Sequence, residues 1–408
     1  MGKLIITKLN IHGIEMIFRG LHDEKRFYQI GFEPLNPSQN GVLGNIYVGR
    51  VKDIVKNINA AFIEYQKGSV GYYSLMENKS PIFLNAKTNT KPCQGDLMLI
   101  QIAKEAVKTK EPVLTSQISL PGKYIVLNFA KSGIGFSPKI KDIEFKKNVQ
   151  TVLGKELQQI SEESNLQFGL IIRTNAIQAD IMTILAEFKQ LRKRFYELLE
   201  EAKFRTAFSV MYQDEFNYLK MIRNAYEGEI EEIVTDDEDI LKQIQSYLNQ
   251  NGFEHMQNCV RFYNDSLLPL YKLYSLETFV KSISAKNVWL KSGAYLVIEH
   301  TEAMTVIDVN TGKCIKGKDL RQTVLSVNLE AAKEIAYQLR VRNISGIIMV
   351  DFINMEAEED KQTLLQTFRS LLAKDNIKTT LVDITGLDIV EVTRKKTEPP
   401  IYEQIKGK

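Results

Sequence analysis

Between residues 284 and 400, runs of strand character alternate with runs of helical spacing. NVWL, AYLVIEH and MTVIDVN come first, then LSVNLEAAKEIAYQLRVR, GIIMVDF, EEDKQTLLQTFRSLLAKD and KTTLVDIT. A strand followed by a helix and then another strand returns to its sheet by a crossover, so this order predicts an α/β unit built on a mostly parallel sheet. Two of the apolar runs arrive at a lone acid, Asp308 in 305-TVIDVNTGK-313 and Asp351 in 346-GIIMVDFINM-355. In open parallel sheets ligands lie beyond the carboxyl ends of the strands, and both aspartates sit at such ends. Strand alternation puts Asn310 on the same side as Asp308. Two carboxylates and an amide make an oxygen-only set for a hard divalent cation such as Mg2+, which takes one or two carboxylates and completes its shell with water and phosphate. The competing reading is that each aspartate caps the helix that follows it.

Lys313, Lys316, Lys318, Arg321, Arg340 and Arg342 cluster in the same stretch of sequence. Cations beside a metal site suit a phosphodiester backbone, although arginines closing a helix also answer to its dipole. A small-molecule phosphotransferase would need a nucleotide-cradling loop, and neither GxxxxGK[ST] nor GxGxxG occurs.

The chain has 408 residues, beyond the roughly 250–300 that one core supports, so at least two domains are expected. With 44% hydrophobic and 25% charged residues, disordered and fibrous classes are excluded. A net charge of +3 leaves the choice of partner to local clustering. Cys93, Cys259 and Cys314 are too few and scattered for a disulfide framework or a CxxC metal pair, which fits a reducing compartment. The start, MGKLIITKLNIHGIEM, alternates like a strand rather than a signal peptide, and no apolar run reaches the ~20 residues of a membrane span. A cytoplasmic protein is expected.

Residues 3–33 read as an antiparallel meander, closed by the turn formers LNPSQNG at 35–41. Closely spaced short strands over 39–120 then predict a small β-barrel. Its Phe62, Tyr72 and Tyr73 lie near Arg50, Lys52, Lys104, Lys108 and Lys110, the mixture that grips single-stranded RNA by stacking and charge. Tyr72 and Tyr73 straddle the two faces of their strand, which leaves one of them for solvent. An α/β unit follows, with strands at KYIVLNFA, GIGFSPKI and QFGLIIRTNA and helices at VQTVLGKELQQISEES and IQADIMTILAEFKQLRKRFYELLEEAKF. NYLKMIRNAY is read as a strand and TDDEDILKQIQSYL as a helix.

The strings 45-NIYVGRVKDIVKNINAAFIEYQKGSVGYYSL-75, 301-TEAMTVIDVNTGK-313, 328-NLEAAKEIAYQLRVRNISGIIMVDFINM-355 and 391-EVTRKK-396 carry a further signal. In this order, over nearly the whole chain, they resemble the catalytic region of the ribonuclease E/G family of bacterial endoribonucleases. The resemblance implies an RNase H-like subdomain from residues 1–38 and 217–283, an inserted S1 (OB-fold) domain at 39–120, a 5′-sensor region at 121–216 and a DNase I-like catalytic subdomain from 284. It implies that Asp308 and Asp351 hold Mg2+ and that Asn310 assists at the scissile phosphate, with Glu302 supporting the metal site. Phe62, Tyr72, Lys104 and Lys110 would hold RNA. Arg173, Thr174 and Lys378 would bind a 5′-monophosphate, Lys378 standing where the family has a second arginine; lysine lacks the bidentate fork of arginine. Asn354 stands where the family commonly has an aspartate. No zinc is expected, because the cysteine pair through which family members share that ion has no counterpart in 400-PIYEQIKGK-408. The chain is then either a monomer or a homodimer formed through the catalytic subdomain alone. The implied activity is Mg2+-dependent cleavage of single-stranded, A/U-rich RNA, leaving 5′-phosphate and 3′-hydroxyl ends, in ribosomal RNA processing and messenger RNA decay. The rival reading is an RNA-binding protein of the S1 type with no catalysis.

Overall fold

The computed structural model describes residues 2–35, 43–85, 91–104, 111–164, 167–226, 228–312 and 320–406. The chain divides into two compact units, Met1–Leu35 with Ile230–Lys408, and Asn36–Glu229. Lys110, Lys108, Lys313, Cys314, Lys316 and Lys318 lie outside the described residues.

The first unit carries two sheets. One has five strands in the order Val260–Phe262, Ile230–Thr235, Gly2–Ile11, Ile14–His22 and Phe27–Pro34. The last three form the antiparallel meander expected for 3–33, and the first three run parallel. His12 and Gly13 make the hairpin turn with φ of 52° and 85°, the pair of left-handed conformations that a two-residue type I′ connection demands.

The other sheet has six strands, ordered Asn287–Trp289, Tyr295–His300, Met304–Asn310, Gly346–Asp351, Ile389–Arg394 and Thr379–Ile384. The expectation of a mostly parallel sheet is wrong here. Met304–Asn310 and Gly346–Asp351 are parallel, joined through the helix Leu320–Val341, while the other four pairings are antiparallel. The helix Glu358–Leu372 leads to the far edge, and Ile389–Arg394 folds back by a hairpin into the gap. Three hairpins thus outnumber the crossover that the strand-helix alternation advertises. Both helices pack on one face of this sheet, where Ile307, Val309, Ile348 and Val350 meet Ile335, Leu339, Leu364 and Phe368.

In the second unit, Ile46–Val55, Ala60–Gln66, Ser69–Ser74, Val113–Thr115 and Leu97–Lys104 pair in turn, and the last returns to the first. This closed five-stranded barrel, with one parallel pairing, is the OB-type arrangement. Tyr47, Ile63, Tyr73, Ile100 and Leu114 fill it. A four-stranded sheet, Ser119–Pro121, Ile125–Phe129, Phe168–Ile172 and Gly133–Phe136, packs with the helices Ile143–Ser164 and Ile181–Ala202. Asp180 caps the second helix by accepting from the Met182 N–H at 2.9 Å.

NYLKMIRNAY is not a strand but the helix Asn217–Asn224. Its buried Tyr218, Leu219, Met221 and Ile222 recur at helical intervals, a period that its aromatic and β-branched content disguises.

Candidate active site

Alternation along Met304–Asn310 sends Thr305, Ile307 and Val309 into the core and leaves Val306, Asp308 and Asn310 on the face that carries no helix. Gly346–Asp351 runs parallel in register, with Asp308 opposite Asp351. Both carboxylates therefore stand side by side on the open face. Asn310 Nδ2 donates to Asp308 Oδ2 at 2.7 Å, fixing one carboxylate and leaving the other oxygen for a ligand. Partial burial, and secondarily the charge of Asp308, pushes the Asp351 carboxyl up from its ordinary value. Two like charges held this close favour a cation between them. The donor set fits Mg2+: oxygens only, two carboxylates and an amide, open to solvent on one side.

Asp351 is not a helix cap. The following helix, Glu358–Leu372, has Ala357 at its N-cap, with no side chain serving it. What fixes the loop after Asp351 is Asn328, fully buried in the helix Leu320–Val341. Its amide donates to the Ile353 carbonyl at 2.7 Å and its carbonyl accepts from the Ile353 N–H at 3.1 Å. Sequence reasoning passed over Asn328; the one available signal was an asparagine within an otherwise apolar helical stripe. Gly312, two residues past Asn310, has φ of 55°, and a Cβ there would lie 2.4 Å from the Gly293 carbonyl oxygen. Only glycine lets the chain leave the strand past that hairpin.

Glu302 does not join the pair. It lies exposed in the turn ahead of Met304, at the opposite end of the strand from Asp308 and roughly 13 Å of strand away from Met304 to Asp308. The expected basic cluster also dissolves among the described residues. Arg321 forks onto Asp360, at 2.6 and 3.1 Å. Arg342 is buried against the Gln338 side chain and the Ala285 carbonyl, and burial lowers its pKa to about 10. Arg340 turns back to the Ala336 carbonyl. A sequence cluster spanning a helix spreads around it, and only part of it can face any one site. Asn354 is exposed, and Lys378 is exposed just before the edge strand Thr379–Ile384.

On the barrel, Phe62 faces Tyr72 across paired strands, with ring centroids 6.3 Å apart. The register continues from Tyr72 to Val113 and on to Lys104. Phe62, Tyr72 and Lys104 thus share one row on the outer wall, while Tyr73 points inward, fully buried, with its hydroxyl bonded to Ser116 at 3.0 Å. Its two rings lie on the second and third barrel strands, the face by which such barrels take oligonucleotides.

Arg173 and Thr174 follow the strand Phe168–Ile172. The Arg173 guanidinium donates to the Gly122 carbonyl and, at 2.6 Å, to Asn224 Oδ1. The Thr174 and Ser137 hydroxyls are 3.0 Å apart. Ser137 was missed because it follows a different strand, Gly133–Phe136, and the parallel pairing that aligns the two ends is not written locally. Beneath them the Glu187 carboxylate accepts from the N–H groups of Lys123, Tyr124 and Ile125 at 2.6, 2.9 and 2.9 Å. Burial pushes this carboxyl up, against the pull of those N–H groups and of Arg173.

Among the described residues no helix is long and apolar enough to cross a membrane.

The family described as "Ribonuclease E/G family" matches residues 119–397. A ribonuclease E of Nostoc sp. is 32% identical over 365 residues, covering 88% of this chain and 52% of the relative. A ribonuclease E/G-like protein of Porphyra purpurea is 34% identical over 379 residues, 89% of this chain and 70% of the relative. Ribonuclease G of Escherichia coli is 28% identical over 378 residues, 89% and 75%. The chain therefore spans about half the length of the Nostoc relative.

Proposed function

The chain belongs to the ribonuclease E/G family, and on that premise we propose that it is a Mg2+-dependent endoribonuclease acting on single-stranded, A/U-rich RNA. The observation that carries the reading is the in-register pairing of Asp308 with Asp351, with Asn310 bonded to the first, on an open sheet face. Asp308 and Asp351 would hold the cation. Bound there, it would neutralise charge developing on the phosphate and make water a stronger nucleophile. Asn310 orients Asp308 and offers its amide to the scissile phosphate. Asn328, through Ile353, keeps Asp351 in place. The products carry 5′-phosphate and 3′-hydroxyl ends.

Phe62, Tyr72 and Lys104 grip the strand by stacking and charge, joined by Lys110. Arg173 and Thr174, with Lys378, read a 5′-monophosphate, which a guanidinium and hydroxyls can clasp. The barrel's strand order supports an S1 assignment. We read the sheet of residues 2–34, 230–235 and 260–262 as RNase H-like, since a meander is extended by two strands parallel to its first. The six-stranded sheet unit is read as the DNase I-like catalytic subdomain. The roles this reading carries are ribosomal RNA maturation and messenger RNA turnover in the cytoplasm, with the catalytic subdomain as the site of any homodimer.

The test is cleavage of a short A/U-rich single-stranded RNA, with Mg2+ or with EDTA, by the wild type and by Asp308→Asn. Internal cuts that need both Mg2+ and Asp308 are expected. Binding without cleavage would overturn the nuclease reading in favour of an RNA-binding protein.

A further inference from the structure

The open face that holds Asp308 and Asp351 also holds a pair of aromatic rings in register with Asn310, two residues along the strand from Asp308. Trp289 pairs with Tyr295, and Tyr295 pairs with Asn310. Their flanking residues Leu290, Ala294, Leu296 and Val309 are buried in the core beneath the helices, so alternation turns Trp289, Tyr295 and Asn310 together to the other side. The two rings lie 5.0 Å apart at 45°, and Trp289 is 69% exposed on the short edge strand Asn287–Trp289.

A lone exposed aromatic needs no explanation. This one stands at the end of a row that leads to the carboxylate-amide set, with Tyr295 about 5 Å and Trp289 about 10 Å of sheet away from Asn310. That interval places the rings within reach of the bases of nucleotides beside a phosphate held at Asp308. Charge alone does not make this surface attractive to RNA, since Asp308 and Asp351 repel the backbone when no cation is bound. Flat apolar rings are what a base can bind there regardless of its identity.

We propose that Trp289 and Tyr295 form a base-stacking subsite that seats a nucleotide adjacent to the scissile phosphate, the ligand class being a single-stranded nucleobase. It is separate from the barrel row of Phe62 and Tyr72 and belongs to the catalytic unit itself. The inference rests on the nuclease reading above. It makes Trp289 a positioning residue, holding the strand across the open face so that its backbone crosses Asp308 and Asp351.

The chain has a single tryptophan, so fluorescence excited at the red edge of the absorption band, where tyrosine does not absorb, reports Trp289 alone. The experiment titrates the full-length protein, in EDTA to prevent cleavage, with a single-stranded A/U-rich decanucleotide. In parallel, Mg2+-supported cleavage kinetics are measured for the wild type, Trp289→Ala, Trp289→Phe and Tyr295→Ala, with thermal unfolding of each as a check on folding. Saturable quenching is expected, with KM raised roughly tenfold in Trp289→Ala, kcat changing less, and Trp289→Phe close to wild type. An abasic site at one position of the RNA should reproduce the Trp289→Ala defect and add nothing to it.

Wild-type cleavage with unchanged fluorescence and unchanged kinetics in Trp289→Ala would overturn the subsite and leave the nuclease reading standing. Quenching without any cleavage would leave base stacking on Trp289 standing but overturn its place beside a scissile phosphate, together with the nuclease reading. Fluorescence that follows protein concentration and ignores RNA would assign the rings to contact with a second copy of the chain, and overturn the proposal.

Discussion

Asp308 and Asp351 face each other in register across the parallel pair of the six-stranded sheet. Because the Asp308 charge adds to the cost of ionising Asp351, replacing Asp308 has two separable effects. Asp308→Asn or Asp351→Asn should reduce cleavage by ~10²-fold or more, the loss of several kcal/mol of charge stabilisation. In Asp308→Asn the Asp351 carboxyl should also titrate lower than in the wild type, though burial keeps it above its ordinary value. Carboxyl-carbon NMR titration in the absence of cation reads this independently of activity.

Asn328 makes both of its hydrogen bonds to one backbone unit, from a fully buried position. Asn328→Ala strands the Ile353 N–H and carbonyl, at a cost of about 1–3 kcal/mol measurable by urea unfolding. Cleavage should fall further than stability explains, because the loop that follows Asp351 loses its anchor. Asn328→Asp keeps an acceptor for the Ile353 N–H but, when ionised, buries a charge against the Ile353 carbonyl, so at neutral pH it should destabilise at least as much as alanine.

Tyr72 and Tyr73 are adjacent in sequence and face opposite sides of the barrel wall. Tyr72→Ala should weaken RNA binding roughly tenfold, the loss of one stacked base, with little change in unfolding. Tyr73→Phe should cost about 1 kcal/mol through the lost bond to Ser116 and leave RNA affinity unchanged. Binding isotherms and denaturant melts on the two variants separate the faces of the barrel wall.

In the proposed 5′-sensing role, Lys378 would offer a point charge where an arginine fork would clasp a phosphate. Lys378→Arg should raise the preference for 5′-monophosphate over 5′-hydroxyl RNA by up to roughly tenfold, one added charge-assisted hydrogen bond. Arg173→Ala should abolish the preference. The ratio of kcat/KM for the two substrates is the readout.

His22 stands edge-on to Phe27 and Tyr274, with ring centroids 4.7 and 5.2 Å away, and burial lowers its pKa from the ordinary 6.5. The unfolded chain therefore binds the proton more tightly. Stability should be complete above about pH 6.5 and decline as pH falls from there toward the lowered folded value, then level off. His22→Gln should flatten that decline, as followed by melting temperature between pH 5 and 7.5.

The local steps were legible in the residues. Alternation in MTVIDVN and GIIMVDF placed Asp308, Asn310 and Asp351 on strand ends, and the turn formers and short runs over 39–120 foreshadowed the barrel. What escaped is whatever depends on partners far apart in the chain. The insertion of Ile389–Arg394 beside Gly346–Asp351 reversed the expected sheet direction, and no local pattern announces it. Arg321 and Arg342 looked like substrate cations until Asp360 and the Ala285 carbonyl claimed them. NYLKMIRNAY failed differently, since its composition spoke for a strand while its spacing spoke for a helix. Trp289 carried no sequence signal beyond being alone of its kind; only the register gave it neighbours.

The parallel pairing of Gly2–Ile11 with Ile230–Thr235 sets a clock on biosynthesis. The first strand leaves the ribosome with Leu4, Ile5 and Ile6, all fully buried in the finished fold, and its partner follows only after the second unit has been translated. At ~5–20 residues per second that interval lasts roughly 10–45 seconds, during which the meander's edge is open to other nascent chains. Yield in the cell should therefore depend on chaperones that hold the amino-terminal strands, and on translation speed through the inserted unit, more than on the stability of the mature protein.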